Sequence, residues 1–390
     1  MFHRIIIKEQ VMKNIVYSSI PYHYLKRFAL VLFFINTPFA GAQILDDQSA
    51  INTITRGIKK IYNWQFEEAE KVSDTIAYLF PGHPVNHLYN GMMIYWMNFP
   101  MLPSSPAREE FEEEMNKCIE LSDSNKVPYT AYEAEYLLAS LCAKGLLLLF
   151  YADNNLSWQA IPVVRKVYRP LMRSFDYTDS STDLLYFTGL YNYYREAYPK
   201  IHPVYKAVAF LFPSGDMELG LKELEKCSKE SMAMRAEALN ILTWIRMYFE
   251  NDYEKSFPLC KNLITYYPDN VHYRIMYIKN LILLKRYDEA ESIINDSYKN
   301  NSHPFYSAIL NILNGLISEK KYKDMVHAEE LFNIGIEALT AFSPYGDSYA
   351  AFGYFGLSRV SDKNNDSRLR RLYRKKAMDL TDFEKMTFDD

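Results

Sequence analysis

The sequence predicts an all-α fold of helix-turn-helix repeats stacked into a solenoid, and three observations carry that expectation. Only 13 glycines punctuate 390 residues, sparse for an all-β or α/β chain that needs many tight turns. Leu, Ala, Lys and Glu recur in long stretches with few breakers. An aromatic or large apolar residue stands three positions before a small one at four places, and the last three small residues are 36 and 34 apart. A period near 34 residues belongs to paired-helix repeats.

Composition narrows the classes. The chain is longer than one globular core keeps growing, so an array or two domains is expected. A hydrophobic fraction of 49% supplies a buried core and excludes wholesale disorder. The formal net charge of −4 gives no electrostatic reason to expect nucleic acid as a partner. Aromatic content is 15%, with 33 tyrosines, and large side chains of this kind fill the gaps between stacked helices.

The four places are Phe66-Glu67-Glu68-Ala69, Met217-Glu218-Leu219-Gly220, Tyr253-Glu254-Lys255-Ser256 and Tyr287-Asp288-Glu289-Ala290. The small residue is expected where the second helix of a pair crosses the first, because only a small side chain permits close approach. The aromatic residue packs from the turn onto both helices. A proline twelve residues later ends the second helix; Pro81 follows Ala69 and Pro268 follows Ser256 at that distance. Gly57 precedes Ala69 by twelve, where the first helix wants a small residue. The expected packing set is thus Gly57, Phe66, Ala69, Pro81, Gly220, Tyr253, Ser256, Pro268, Tyr287 and Ala290.

Asn63-Trp64-Gln65-Phe66-Glu67-Glu68-Ala69-Glu70 and Leu284-Lys285-Arg286-Tyr287-Asp288-Glu289-Ala290-Glu291 resemble the turn and second helix of the tetratricopeptide repeat family. The resemblance covers residues 48–100 and 203–380 and implies a right-handed superhelix. Gly220 and Ser256 stand where that family has alanine, and the first-helix Trp is missing from its usual place. Its peptide-clamping residues are therefore not carried over. Phe187-Thr188-Gly189-Leu190-Tyr191-Asn192 and Phe212-Pro213-Ser214-Gly215-Asp216, with Gly220-Leu221 following, resemble the longer helical family that includes mitochondrial inclusion-body clearance proteins.

Lys26 and Arg27 precede the apolar run from Phe28 to Ile35, then Pro38 and Ala40-Gly41-Ala42 before Gln43. A basic flank, a short apolar core and small residues two apart make a secretory signal peptide. The run is short for a bilayer span of about 20 residues. Residues 1–42 are read as the signal, with Met12 an alternative start, and 43–178 as an N-terminal helical repeat region with long helices. The polar stretch Asp176–Asp183 marks the boundary to a second array, 179–390, ending in a basic capping helix.

Chemistry-bearing residues are few. Cys118, Cys142, Cys227 and Cys260 show no CxxC spacing and read as small buried hydrophobes. His83 and His87 are four apart, but Pro84 lies between them and no third ligand is evident, so no metal is expected. No phosphate loop, nucleophile elbow or zinc-protease motif occurs, so neither catalysis nor a cofactor is expected. Glu109, Glu110 and Glu112–Glu114 suit a helix start. Arg359, Lys363, Arg368, Arg370, Arg371, Arg374, Lys375 and Lys376 read as the solvated cap of a repeat array, with attraction to an anionic surface as the other reading. Tyr191, Tyr194 and Tyr198 share one helical face; packing is the leading account, and a ligand-stacking face the alternative.

The resulting expectation is a non-catalytic protein-protein interaction scaffold, exported to the periplasm or envelope of a Gram-negative bacterium, binding a protein or peptide through the concave surface of the superhelix. The alternative is a carbohydrate or small-ligand binder using the tyrosine-rich helices. Membrane association is compatible with both, though not as a spanning protein after cleavage.

Overall fold

The computed structural model describes residues 44, 47–124, 133–201, 206–300, 303–381 and 387–389; the expected signal segment, 1–42, lies outside them. Every regular element among the described residues is helical. The order is α1 (Gln48–Tyr62), α2 (Phe66–Leu79), α3 (Pro84–Met97), α4 (Arg108–Asp123), α5 (Glu133–Asp153), α6 (Ser157–Ser174), α7 (Leu185–Ile201), the short α8 (Lys206–Ala209) and α9 (Met217–Glu230). There follow α10 (Arg235–Trp244), α11 (Tyr253–Tyr266), α12 (Val271–Leu283), α13 (Tyr287–Asn300), α14 (Pro304–Ile317), α15 (Met325–Leu339), α16 (Asp347–Lys363) and α17 (Ser367–Leu380). Except that α9 packs on α7 past the short α8, each helix packs on its neighbour in sequence, and α1 on α3, α3 on α5, α12 on α14 and α14 on α16, as in a helical-repeat solenoid.

Local chemistry starts and stops these helices. The side chains of Asp47, Asp216, Asp252, Asn270, Asp324 and Asp366 each accept backbone N–H bonds at a helix start. His83 and His303 do the same before a first-turn proline, their Nδ1 atoms accepting from Val85 at 3.1 Å and Phe305 at 3.3 Å. Six pairs, α1/α2, α5/α6, α10/α11, α12/α13, α14/α15 and α16/α17, share one turn, with Trp64, Asn155, Asn251, Lys285, Lys323 and Asn365 at φ between 52° and 59°. The amide following each closes back onto the helix end, as Gln65 N to Lys60 O at 3.0 Å and Arg286 N to Leu281 O at 2.8 Å. None of the six is glycine, so glycine spacing does not mark these turns.

The helices form two layers. First helices are buried nearly all round: in α12, Ile275 to Ile282 are all buried, and in α14 Ala308, Ile309, Leu310, Ile312, Leu313, Leu316 and Ile317 are. Second helices bury one stripe; α2 hides only Ala69, Val72 and Ile76, and α11 only Ser256, Cys260 and Leu263. α5 is long and apolar enough to cross a membrane, yet 67% of its apolar window is buried within the fold.

Close crossings use the smallest residues. A Cβ on Gly57 would lie 2.6 Å from the Tyr89 hydroxyl, and that hydroxyl donates to the Ala69 carbonyl at 2.9 Å, joining α1, α2 and α3. Ala69, Ser256 and Ala290 are fully buried. At the α7–α9 crossing a Cβ on Gly220 would meet Gly189 O and Tyr193 N at 2.7 Å each. The departure from alanine at 220 therefore has a cause: two backbones touch there. Ser256 departs for another reason, its hydroxyl donating to Tyr253 O at 2.9 Å and accepting from the buried Asn280 amide. Gly315 and Gly356 flank the Phe332 ring between α14 and α16, a glycine pair outside the repeat pattern. Phe66, Tyr253 and Tyr287 pack partly buried against the core, and Pro81 and Pro268 follow the ends of α2 and α11.

The inner face is filled by the chain itself. Tyr62 and Trp64 at the end of α1, and Trp96 and Phe99 at the end of α3, meet Tyr267, His272, Tyr273, Phe305, Tyr306 and Tyr345 with ring centroids 5.4–6.5 Å apart. The fully buried Asn270 holds the joint: its Nδ2 donates to Tyr62 O at 2.8 Å and its Oδ1 accepts from Tyr273 N at 3.0 Å. Packing also runs across the 176–183 stretch. Asp183, from that stretch, is buried and accepts from Ala233 N at 2.7 Å and Met234 N at 2.8 Å at the start of α10.

Gly220→Ala, which restores the residue expected of the resembled family, should destabilise the protein by about 1–3 kcal/mol because backbone cannot yield as a side chain can. Asn270→Ala should cost about 2–4 kcal/mol, the sum of a lost cap and a buried carbonyl left unpaired. Urea unfolding of each variant measures both; an unchanged midpoint for Gly220→Ala would contradict the crossing described.

Candidate functional site

With the inner face filled, a cleft of about 1130 Å³ opens at the far end of the array. The repeat turn builds one wall. Lys285 and Lys323 are the left-handed residues of successive turns, so stacking the pairs presents both side chains on the same edge. α16 contributes Arg359 and Lys363, α17 contributes Arg370, Arg371 and Arg374, and the turn after α14 contributes Lys320. Against these eight cations stand the carboxylates of Glu319, Asp362 and Asp389.

Internal pairing consumes the acids. Buried Glu319 takes a forked bond from Arg359, Nε to Oε1 at 2.6 Å and Nη2 to Oε2 at 2.8 Å. Asp389 pairs with Arg359 at 3.1 Å and Arg374 at 3.2 Å, and Asp362 with Arg370 at 3.1 Å. Burial, then the adjacent Arg359 charge, depresses the Lys320 pKa. Lys285, Lys323, Lys363 and Arg371 are exposed and make no ion pair among the described residues. The cleft therefore has unspent positive charge along its lining. Of the other C-terminal cations, Lys376 lies over the Tyr354 ring at 5.1 Å.

A much smaller opening is lined by aromatic residues. A chamber of about 160 Å³ lies where α3, α5, α10, α12, α14 and α16 converge, with Lys279 on its wall. Lys279 is 3% exposed; its Nζ donates to the Tyr248 hydroxyl and sits 4.5 Å from the Tyr248 ring centroid and 5.5 Å from that of Tyr349. No carboxylate pairs with it among the described residues, and burial lowers its pKa. His272 packs edge-on to Trp96, Phe99 and Tyr273. Burial first, and the Lys279 charge second, lower its pKa to about 4. A third opening of about 100 Å³, apolar but for Glu237 and the Tyr62 hydroxyl that donates to it at 2.7 Å, lies between α1, α3, α5, α7 and α10. Burial raises the Glu237 pKa, with the bonds from Tyr62 and Asn240 opposing.

The chain matches no protein-family model and no curated protein.

The residues singled out in the sequence fall elsewhere. Tyr194 and Tyr198 are buried, and Tyr191 donates to Pro213 O at 2.7 Å; none of the three lines these openings. Phe212–Asp216 forms a clasp over α7. Arg195 Nη2 donates to Phe212 O at 3.2 Å, Gly215 N to Glu196 Oε1 at 3.0 Å, and Asp216 caps α9. His83 and His87 turn to different partners, Glu135 and Glu114, each at 2.7 Å. The cysteines are free; Cys118, Cys227 and Cys260 are buried, whereas Cys142 is half-buried beside the apolar opening, with its Sγ 3.6 Å from Met234 Sδ. Lys279 had a legible signal: a lysine inside Ile275-Met276-Tyr277-Ile278-Lys279-Asn280-Leu281-Ile282, apolar around the whole helix, has no solvent face to occupy.

Lys279→Met, which removes a buried charge at similar volume, should stabilise the fold by about 1–4 kcal/mol, read as a raised urea midpoint. His272 has a folded pKa near 4 against an ordinary value of 6.5. Its contribution is therefore fully present above about 6.5 and lost as pH falls toward 4, since only the unfolded chain takes the proton in that window. The drop in stability from pH 7 to 4.5 should be smaller in His272→Gln than in the native protein.

Proposed function

We propose that the protein is a non-catalytic interaction scaffold, and that the basic cleft holds an acidic segment of a partner protein. The observation that carries the reading is the charge balance of that cleft: eight Lys and Arg against three carboxylates, with four cations unpaired among the described residues. Its concave form favours a chain segment that enters it over a flat anionic bilayer. The two smaller openings, of about 160 and 100 Å³, are too small to admit a polypeptide. The signal-like residues 26–42 support a setting in the bacterial envelope, and the 34-residue spacing and the shared turn support a tetratricopeptide-type array.

Fluorescence polarisation with a labelled peptide rich in glutamate tests the reading. Binding should be saturable at low ionic strength and weaken as salt rises past about 0.15 M, where the screening length falls to about 8 Å. Lys285→Glu with Lys323→Glu should weaken it roughly tenfold, from surface pairs of about 0.2–1 kcal/mol each and the repulsion that replaces them. Equal affinity of the double variant, or capture by phosphatidylglycerol vesicles with no binding of the peptide, would count against the proposal.

A further inference from the structure

We infer that the chamber around Lys279 is a binding site for a small organic monocarboxylate with a flat or short apolar body. The inference is independent of the basic cleft. It starts from the ammonium. Lys279 is 3% exposed, and its one hydrogen bond among the described residues goes to the neutral hydroxyl of Tyr248. An ammonium carries three N–H donors, so two remain for an occupant. The faces of Tyr248 and Tyr349 offset part of the desolvation of this cation, but neither carries the negative charge that would compensate it.

The walls define the rest of the ligand. Phe99, Trp244, Phe305 and Tyr349 present aromatic surface, while Asn240 and Ser348 add neutral polar groups. Lys279 offers its ammonium to a single anionic group, and the Asp153 carboxylate elsewhere on the wall disfavours a second. A cationic ligand would be repelled by Lys279, and a bare inorganic anion would leave the rings unwetted. The volume of about 160 Å³ is close to the roughly 150 Å³ cavity that holds a benzene molecule. Solvent reaches the chamber past Pro344, Ser348 and Thr381, which are half-buried.

The carboxylate fits as a charge-assisted acceptor for Lys279 Nζ, an interaction stronger than one between neutral groups. The apolar body then replaces chamber water against the rings. No bond is made or broken in this scheme, consistent with a sensing or carrying role.

Isothermal titration of the full-length protein with butyrate and benzoate, and with benzyl alcohol as a neutral counterpart, tests the inference. Saturable one-to-one binding of at least one carboxylate is expected, with the alcohol weaker by roughly tenfold or more, as for loss of a hydrogen bond to a charged group. Lys279→Met should abolish that preference. Ser348→Phe, which plugs the rim and leaves the ammonium in place, should abolish binding should the Met variant fail to fold. Lys285→Glu with Lys323→Glu should leave carboxylate binding unchanged. No carboxylate binding to the native protein, equal binding of alcohol and acid, unchanged binding by Lys279→Met, or loss in the cleft variant would each overturn the assignment.

Discussion

Asn270 holds two helices of different halves with one side chain. Its Oδ1 caps α12 and its Nδ2 takes the last carbonyl turn of α1, 208 residues away in sequence. Both groups are out of water, where an unpaired donor or acceptor costs about 1–3 kcal/mol. Around it the rings of Tyr62, Tyr267 and Tyr273 close the seam in stacked and tilted contacts. That joint converts an array, whose repeats need touch only their neighbours, into a solenoid closed upon itself.

Closure has consequences for chemistry. The surface that an open superhelix offers to a peptide becomes a packed interior lined by Trp96, Phe99, Phe305 and Tyr306. Some polar groups there find a local partner, as the Asn280 amide does in Ser256 and Tyr253, whereas the hydroxyls of Tyr273 and Tyr306 and the indole N–H of Trp96 are buried without one among the described residues. Lys279 is the exception in charge: aromatic faces and one hydroxyl stand where a carboxylate would be expected. Openings among the described residues lie at the edge, where turns stack, and in the aromatic chamber around Lys279.

Much of the fold was legible because its rules are local. The aromatic-to-small spacing placed Gly57, Ala69, Ser256 and Ala290 in the interior, and prolines 81 and 268 after second helices. Less legible were the turns, because Trp64, Lys285 and Lys323 adopt left-handed backbone that the residue type does not announce. α10 runs on into a π-helical turn over Ile245–Phe249, a register change that no periodicity marks. The candidate sites were hardest to see. Lys285 and Lys323 are ordinary surface lysines until the pairs stack, and the tyrosines at 191, 194 and 198, conspicuous in sequence, are occupied in packing and in the clasp over α7.

By itself the sequence determined that the chain folds as helices and that Gly57, Ala69, Ser256 and Ala290 are buried, because capping, proline and side-chain volume act over a few residues. The tertiary structure alone decided that the inner face is filled and, among the described residues, that four unpaired cations share one cleft and that a buried lysine faces aromatic rings without an ion-pair partner. Those facts join groups as far apart as Tyr62 and Asn270, or Lys285 and Arg371, and depend on how the array curves back on itself. No local rule carries information across such distances.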